Sequence, residues 1–167
     1  MHIYLTGFMG VGKTTIGKEL SERMNLPFID LDVAIENEAG ISISQYFETH
    51  GEVAFRALEQ KTLLQTIKIK EQHIVALGGG TMASLHNGIL VIENGICVYL
   101  KKPWDEIQQG LENLEHRPML DKYSLEELEA IFRKREPFYA FSQLTTFINT
   151  AFSTKKLHNY LKLLTNR

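Results

Sequence analysis

Cysteine is nearly missing: the 167 residues contain one, Cys97. A lone thiol cannot close an internal disulfide, so neither a disulfide framework nor an oxidising compartment is implied. The six histidines show no H-x-x-x-H or H-x-x-H spacing, and with one cysteine beside them no zinc site is expected. Long apolar runs are also lacking; none approaches the ~20 residues that cross a bilayer. Near the N-terminus the apolar residues are broken by Gly7, Gly10 and Gly12, and Lys13 follows rather than precedes them, which is not a secretory-signal layout. Neither sign of charge dominates. Eighteen Lys and Arg against twenty Asp and Glu leave a net −2, without the basic surplus of a general nucleic-acid binder, although a local basic pocket for a small anion remains compatible. No apolar heptad marks a pairing surface. The expectation is a cytoplasmic monomer with no nucleic-acid or membrane partner.

What is present is ordinary globular material, 44% hydrophobic and 23% charged. Its length suits one domain, and a chain of this size buries roughly 70% of its unfolded surface without staples. Apolar stretches at 2–6, 27–31, 74–77, 96–100 and 145–148 read as strands. Between them Ile16, Leu20 and Met24 recur at spacings of four, a helical stripe over 13–25. Ser42-Ile-Ser-Gln45 has the form of a capping box opening a short helix. Gly51 breaks that segment, and 52–70 reads as a long helix. Pro103 suits the first turn of another. Helical spacing returns over 125–141, interrupted by Pro137, and over 154–164. Strands alternating with helices imply a parallel sheet with helices on both faces, and continuously apolar strands agree with that burial. The fold class is α/β, in one domain.

The strongest chemical signal is Gly7-Phe-Met-Gly-Val-Gly-Lys13-Thr14, a full G-x-x-x-x-G-K-[ST] match between a strand and a helix. Glycines let successive backbone N–H groups converge on phosphate oxygens, and the helix that opens near Lys13 turns its positive end to the same point. Lys13 supplies charge to the β and γ phosphates, and the Thr14 hydroxyl can ligate Mg²⁺. A nucleotide binds here. Asp30-Leu-Asp32 ends the second strand; spacing of two on a strand places both carboxylates on one face, at the sheet edge where α/β folds bind ligands. One carboxylate then suits Mg²⁺ through water and the other suits a hydroxyl proton. An acidic turn that caps the next helix reads equally from the same three residues. Gly78-Gly79-Gly80 ends the third strand and marks either a close approach of backbone to ligand or a tight turn. Arg56, Arg117 and Arg135 are candidate anion forks, since arginine grips carboxylate or phosphate at two points.

Taken together, these pieces resemble the shikimate kinase family, P-loop small-molecule kinases of the nucleoside-monophosphate-kinase type. The resemblance runs in order over nearly the whole chain. It comprises the loop from Gly7 to Thr15, Phe28-Ile-Asp30-Leu-Asp32, Gly51-Glu-Val-Ala-Phe-Arg56 with Glu59 one turn on, and Leu77-Gly-Gly-Gly80. It continues through His116-Arg117-Pro-Met-Leu120 and Arg135-Glu-Pro137-Phe-Tyr139. It implies a three-layer P-loop NTPase fold: a central five-stranded parallel sheet, helices on both faces, a substrate-binding subdomain over 33–61 and a mobile lid over about 112–123. It implies transfer of the ATP γ-phosphoryl to the 3-hydroxyl of shikimate, giving shikimate 3-phosphate and ADP on the way to chorismate and the aromatic amino acids. Gly10, Val11, Gly12, Lys13, Thr14 and Thr15 would hold the ATP phosphates, with Thr14 and Asp30 on Mg²⁺. Asp32 would bind the shikimate hydroxyls and orient or deprotonate the attacking one. Arg56 and Arg135 would grip the carboxylate beside Gly78, Gly79 and Gly80, and Arg117 would swing in to contact ATP and the transferring phosphoryl.

The sequence departs from the family where an arginine or lysine often stacks on adenine: that position is Gly110 here. Met119 replaces a leucine, and 149–154 shows no specific adenine-side match. A gluconate or nucleoside-monophosphate kinase shares the phosphate loop without the paired-arginine segment. A nonenzymatic GTPase-like switch would need N-K-x-D and D-x-x-G elements, and neither is present.

Overall fold

The sheet is built around β1 (His2–Thr6), whose five residues are all buried. Side chains of a strand alternate between faces, so this burial requires cover on both. In the computed structural model, which describes residues 1–112, 123–149 and 152–165, β1 pairs in parallel with β3 (Ile74–Ala76) and β4 (Gly95–Lys101). Outside them lie β2 (Phe28–Asp30) and β5 (Leu144–Phe147), giving the order β2-β3-β1-β4-β5, every pair parallel. All carboxyl ends therefore share one edge. The loops after β1, β2 and β3 open there side by side.

Local chemistry sets the helices. α1 (Lys13–Met24) buries Ile16 and Leu20, and Gly17 lets it lie so close to the sheet that a Cβ there would collide with the Phe28 ring. α2 (Leu31–Ala39) is capped by Asp30. α3 (Ile43–Ile67) starts on the anticipated capping box, with Ser42 and Gln45 exchanging side-chain and backbone bonds. It is broken at Gly51, whose φ of 77° and ψ of 175° are not helical. A 3₁₀ turn at Thr81–Ala83 leads into α4 (Leu85–Asn94), capped by Ser84. α5 (Trp104–Glu112), α6 (Leu125–Tyr139) and α7 (Thr154–Thr165) complete the set.

Two expectations change, and one helix has no counterpart in the sequence analysis. Leu31 belongs to α2 rather than to the second strand. α4 carries its apolar Leu85 and Ile89 in solvent, so hydrophobic spacing does not mark its buried face. α6 is not interrupted by Pro137, which sits in its last turn and removes one backbone bond without ending the helix. The expected lid at 112–123 and the Asn149–Thr154 loop fall largely or partly outside the described residues. No helix among the described residues is long and apolar enough to cross a membrane.

Candidate active site

The loop after β1 is a rigid cradle. Gly7, Gly10 and Gly12 have φ of 143°, 80° and 95°, conformations that side-chain-bearing residues rarely adopt. Between them Phe8 and Val11 are buried. The Phe8 ring packs edge-on against Trp104 and Phe132, so the core holds the loop from below. Gly12 caps α1 with no side-chain hydrogen bond, leaving the helix's first N–H groups to an anion. Lys13 curls over the same loop, its Nζ donating to the carbonyls of Gly7 and Phe8 at 2.9 and 3.0 Å. Gly10, Val11, Gly12, Lys13, Thr14 and Thr15 are thus gathered at one helix start.

The paired aspartates are in place for a different reason than strand spacing. Asp30 ends β2, but Asp32 lies in the first turn of α2, so the two do not share a strand face. Asp30 is the helix cap: its Oδ1 accepts the Asp32 backbone N–H at 3.1 Å. Its Oδ2 accepts the Thr14 hydroxyl at 2.7 Å. The capping role and the ligand role coexist in one carboxylate, tying the phosphate loop to β2. Thr14 and Asp30 offer two hard oxygen donors at the loop mouth. That fits Mg²⁺, which takes one or two protein ligands and keeps the rest of its shell for water and phosphate. Asp32 is the perturbed group. Burial pushes its carboxyl up to about 6, against a smaller downward pull from Lys13, with Asp30, Glu59 and Glu36 adding repulsion.

The glycine turn after β3 gathers the rest. A Cβ on Gly78 would stand 2.5 Å from Asp32 Oδ1, and one on Gly80 would stand 3.0 Å from both terminal nitrogens of Arg56. Between them, the Gly79 carbonyl accepts from Arg135 Nη1 at 3.4 Å. None of the three has the positive φ that demands glycine; Gly78 and Gly80 are small because the Asp32 and Arg56 side chains lie against them, whereas a Cβ on Gly79 would make only ordinary contact with the Met9 backbone N at 3.6 Å. Arg56 is itself held by Glu59, Nη1 to Oε2 at 2.9 Å, and more loosely by Glu52 at 3.5 Å. Glu59 is 1% exposed and its other oxygen accepts the Thr81 hydroxyl at 2.8 Å. Spacing alone shows Glu59 one turn from Arg56 but not its bond to Thr81. Arg117 lies outside the described residues.

The phosphate loop, Asp32 and two arginines thus stand around one glycine-lined sheet edge. The family model described as shikimate kinase matches residues 9–164. The chain belongs to the shikimate kinase family. Shikimate kinases from Caldanaerobacter subterraneus and Chlorobium limicola are 37% and 42% identical to it, over 86% of this chain in each case and 84% and 76% of theirs. The solved shikimate kinase from Acinetobacter baumannii in complex with shikimate is 33% identical. It superposes with a TM-score of 0.86 over 99% of this chain and 93% of its own. Membership makes the chain an ATP-dependent kinase, and its five-stranded parallel sheet with surrounding helices is the shikimate kinase P-loop fold.

Proposed function

We propose that this kinase transfers the γ-phosphoryl of ATP to the 3-hydroxyl of shikimate, forming shikimate 3-phosphate and ADP. One observation carries the reading. The turn of three successive glycines gathers one carboxylate and two guanidiniums: Asp32 lies against Gly78 and Arg56 against Gly80, and Arg135 donates to the Gly79 carbonyl between them. Two guanidiniums suit a single carboxylate, and a carboxylate a few ångströms along the same turn suits a ring hydroxyl. A hydroxylated carboxylic acid meets both demands and a nucleoside monophosphate, which has no carboxylate, does not; gluconate is also a hydroxy acid, and the likeness to shikimate kinases supports shikimate over it.

In the reaction the acid lies with its carboxylate between Arg56 and Arg135 and its hydroxyl on Asp32, beside the Gly78, Gly79 and Gly80 backbone. The hydroxyl oxygen attacks the γ-phosphorus in line, the bond from that phosphorus to the β–γ bridging oxygen breaks, and ADP leaves. Asp32 accepts the hydroxyl proton as the oxygen loses it. The loop from Gly10 to Thr15 holds the phosphates through backbone N–H groups, and Lys13 leaves the loop carbonyls to neutralise charge on the β and γ oxygens. Thr14 and Asp30 would hold Mg²⁺, which when bound neutralises phosphate charge. We place Arg117 on the transferring phosphoryl, within a lid over about 112–123, and the acid-binding subdomain at 33–61. The single buried thiol is compatible with the cytoplasmic monomer we infer.

Coupled ADP release with Mg-ATP tests the reading, comparing shikimate, gluconate, nucleoside monophosphates and no acceptor. Turnover with shikimate alone is expected; turnover with another acceptor and none with shikimate would overturn it, and slow hydrolysis of GTP without acceptor would restore the switch. The pH profile adds a sign. The working form of Asp32 is the carboxylate, and burial raises its pKa to about 6, so kcat/KM with shikimate rises with pH through about 6 and levels above it. A profile flat down to about pH 5 would remove Asp32 as the proton acceptor.

A further inference from the structure

The glycine turn has no side chains of its own to restrain it, so its order must come from outside. Its three carbonyls are each taken. The Gly78 carbonyl accepts the Thr81 N–H at 3.1 Å and the Gly80 carbonyl accepts the Ala83 N–H at 3.0 Å, both within the turn and its following 3₁₀ segment. The middle one, on Gly79, is held from across the fold. Tyr139 donates its hydroxyl to it at 2.5 Å, and Arg135 donates to it at 3.4 Å. These two residues stand four apart on α6, on one helix face, and converge on one acceptor with two lone pairs. Tyr139 is fully buried and its ring lies 5.4 Å from that of Tyr99. Burial also pushes its phenol up to about 12, which keeps it a donor throughout the working range.

We infer that Tyr139 is a positioning residue for the acid substrate: its hydroxyl fixes the Gly79–Gly80 peptide and with it the register between the Gly80 N–H and the Arg135 guanidinium. The peptide is planar and trans, so clamping the Gly79 carbonyl toward α6 directs the Gly80 N–H to the opposite side. Gly80 backs onto Arg56, so the same clamp fixes the backbone against which the Arg56 guanidinium rests. Without the hydroxyl, Arg135 alone holds the carbonyl. Because Arg135 must also serve the substrate, the two tasks compete.

The inference rests on the function proposed above, and the experiment separates the two. Shikimate-dependent turnover of the unmodified enzyme is measured first; its absence overturns the proposed function. Given turnover, Tyr139→Phe keeps the ring and its contact with Tyr99 and removes only the donor. Its KM for shikimate should rise about 5- to 10-fold, the scale of one lost hydrogen bond, with the KM for ATP within about 2-fold and kcat within about 3-fold. Tyr99→Phe is the control. The Tyr99 hydroxyl is buried without a partner among the described residues, so its removal should leave both KM values unchanged. A lowered Tm for Tyr139→Phe with unchanged KM for shikimate overturns the inference, as does an equal KM rise in both variants. Should Tyr139→Phe not fold, the unmodified protein still decides. Titration with shikimate should shift the Gly80 amide cross-peak in a ¹⁵N–¹H spectrum while the Tyr139 hydroxyl stays protected from exchange. A Gly80 amide that does not respond sinks the inference.

Discussion

Asp32→Asn is expected to give a more stable protein that scarcely turns over. The loss of kcat follows from removal of the proposed proton acceptor, a change of about 10²- to 10⁴-fold, while nucleotide binding persists. Removing a negative charge that interacts with Lys13 also removes repulsion for the polyphosphate, so nucleotide affinity holds or tightens. The gain in stability follows from linkage. The Asp32 carboxyl has a pKa of about 6 in the fold against an ordinary 3.8, so the folded state binds its proton more tightly than the unfolded chain does. Stability therefore falls as pH rises from about 4 to about 6, and above that the ionised side chain costs a constant amount on the order of 2–3 kcal/mol. Asparagine does not ionise, so near neutral pH the variant should melt several degrees higher, and the advantage should fade toward about pH 4. Melting curves at the two pH values together with steady-state rates check both halves. Near-normal turnover would strip Asp32 of its role; a lower melting temperature near neutral pH would mean that its carboxylate is stabilised by its contacts rather than strained by burial. A carboxylate kept at this cost near the phosphate loop fits the proposed base, since perturbed carboxylates concentrate at functional sites.

What the sequence revealed of this site follows the range of each interaction. The phosphate loop and the two ends of the break at Gly51 are local devices, legible because a few adjacent residues complete them. The Ser42–Gln45 capping box is another, and α6 opens on a second one between Ser124 and Glu127. Asp30 and Asp32 were legible as residues but not as geometry. Strand alternation and helix capping use the same spacing of two, and only the fold shows that the second aspartate already belongs to α2. The glycine triplet alone reads as a close approach to ligand or as a tight turn, and only the resemblance puts Arg56 and Arg135 beside it; Asp32, Arg56 and Arg135 reach it from three separate helices. Least legible were bonds that span the chain. Thr81 meets Glu59 from 22 residues away and Tyr139 meets Gly79 from 60, and no periodicity encodes either. Pro137 misled because a proline that breaks a helix core is tolerated in a last turn, where few backbone bonds remain to lose.

Arg56→Ala should damage binding and stability together, for separable reasons. The binding loss comes from the guanidinium that faces the glycine turn: removing one arm of the proposed two-arginine carboxylate grip should weaken the acid by about 10²-fold, with Mg-ATP affinity unchanged. The stability loss comes from Glu59. Its carboxylate is 1% exposed and keeps only the Thr81 hydroxyl once Arg56 is gone, and a buried charge stripped of its partner costs about 3–5 kcal/mol. Arg56→Lys restores a charge but not the fork, so it should recover part of the melting temperature and little of the acid affinity. The double variant Arg56→Met with Glu59→Gln separates the effects. With neither charge left to bury, its melting temperature should return close to that of the unmodified protein, while acid binding stays weak. Calorimetric binding of the acid and thermal melts of the unmodified protein and these three variants check both effects. Unchanged acid affinity in Arg56→Ala would remove Arg56 from the carboxylate site. An unchanged melting temperature would show that water reaches Glu59 once the arginine is lost, making the pair a device for aiming Arg56 rather than for holding the fold. In either case Glu59 explains why a guanidinium on a half-exposed helix turn points at the glycine turn: Glu59 bonds one face of it and Phe55 lies beneath at 5.2 Å.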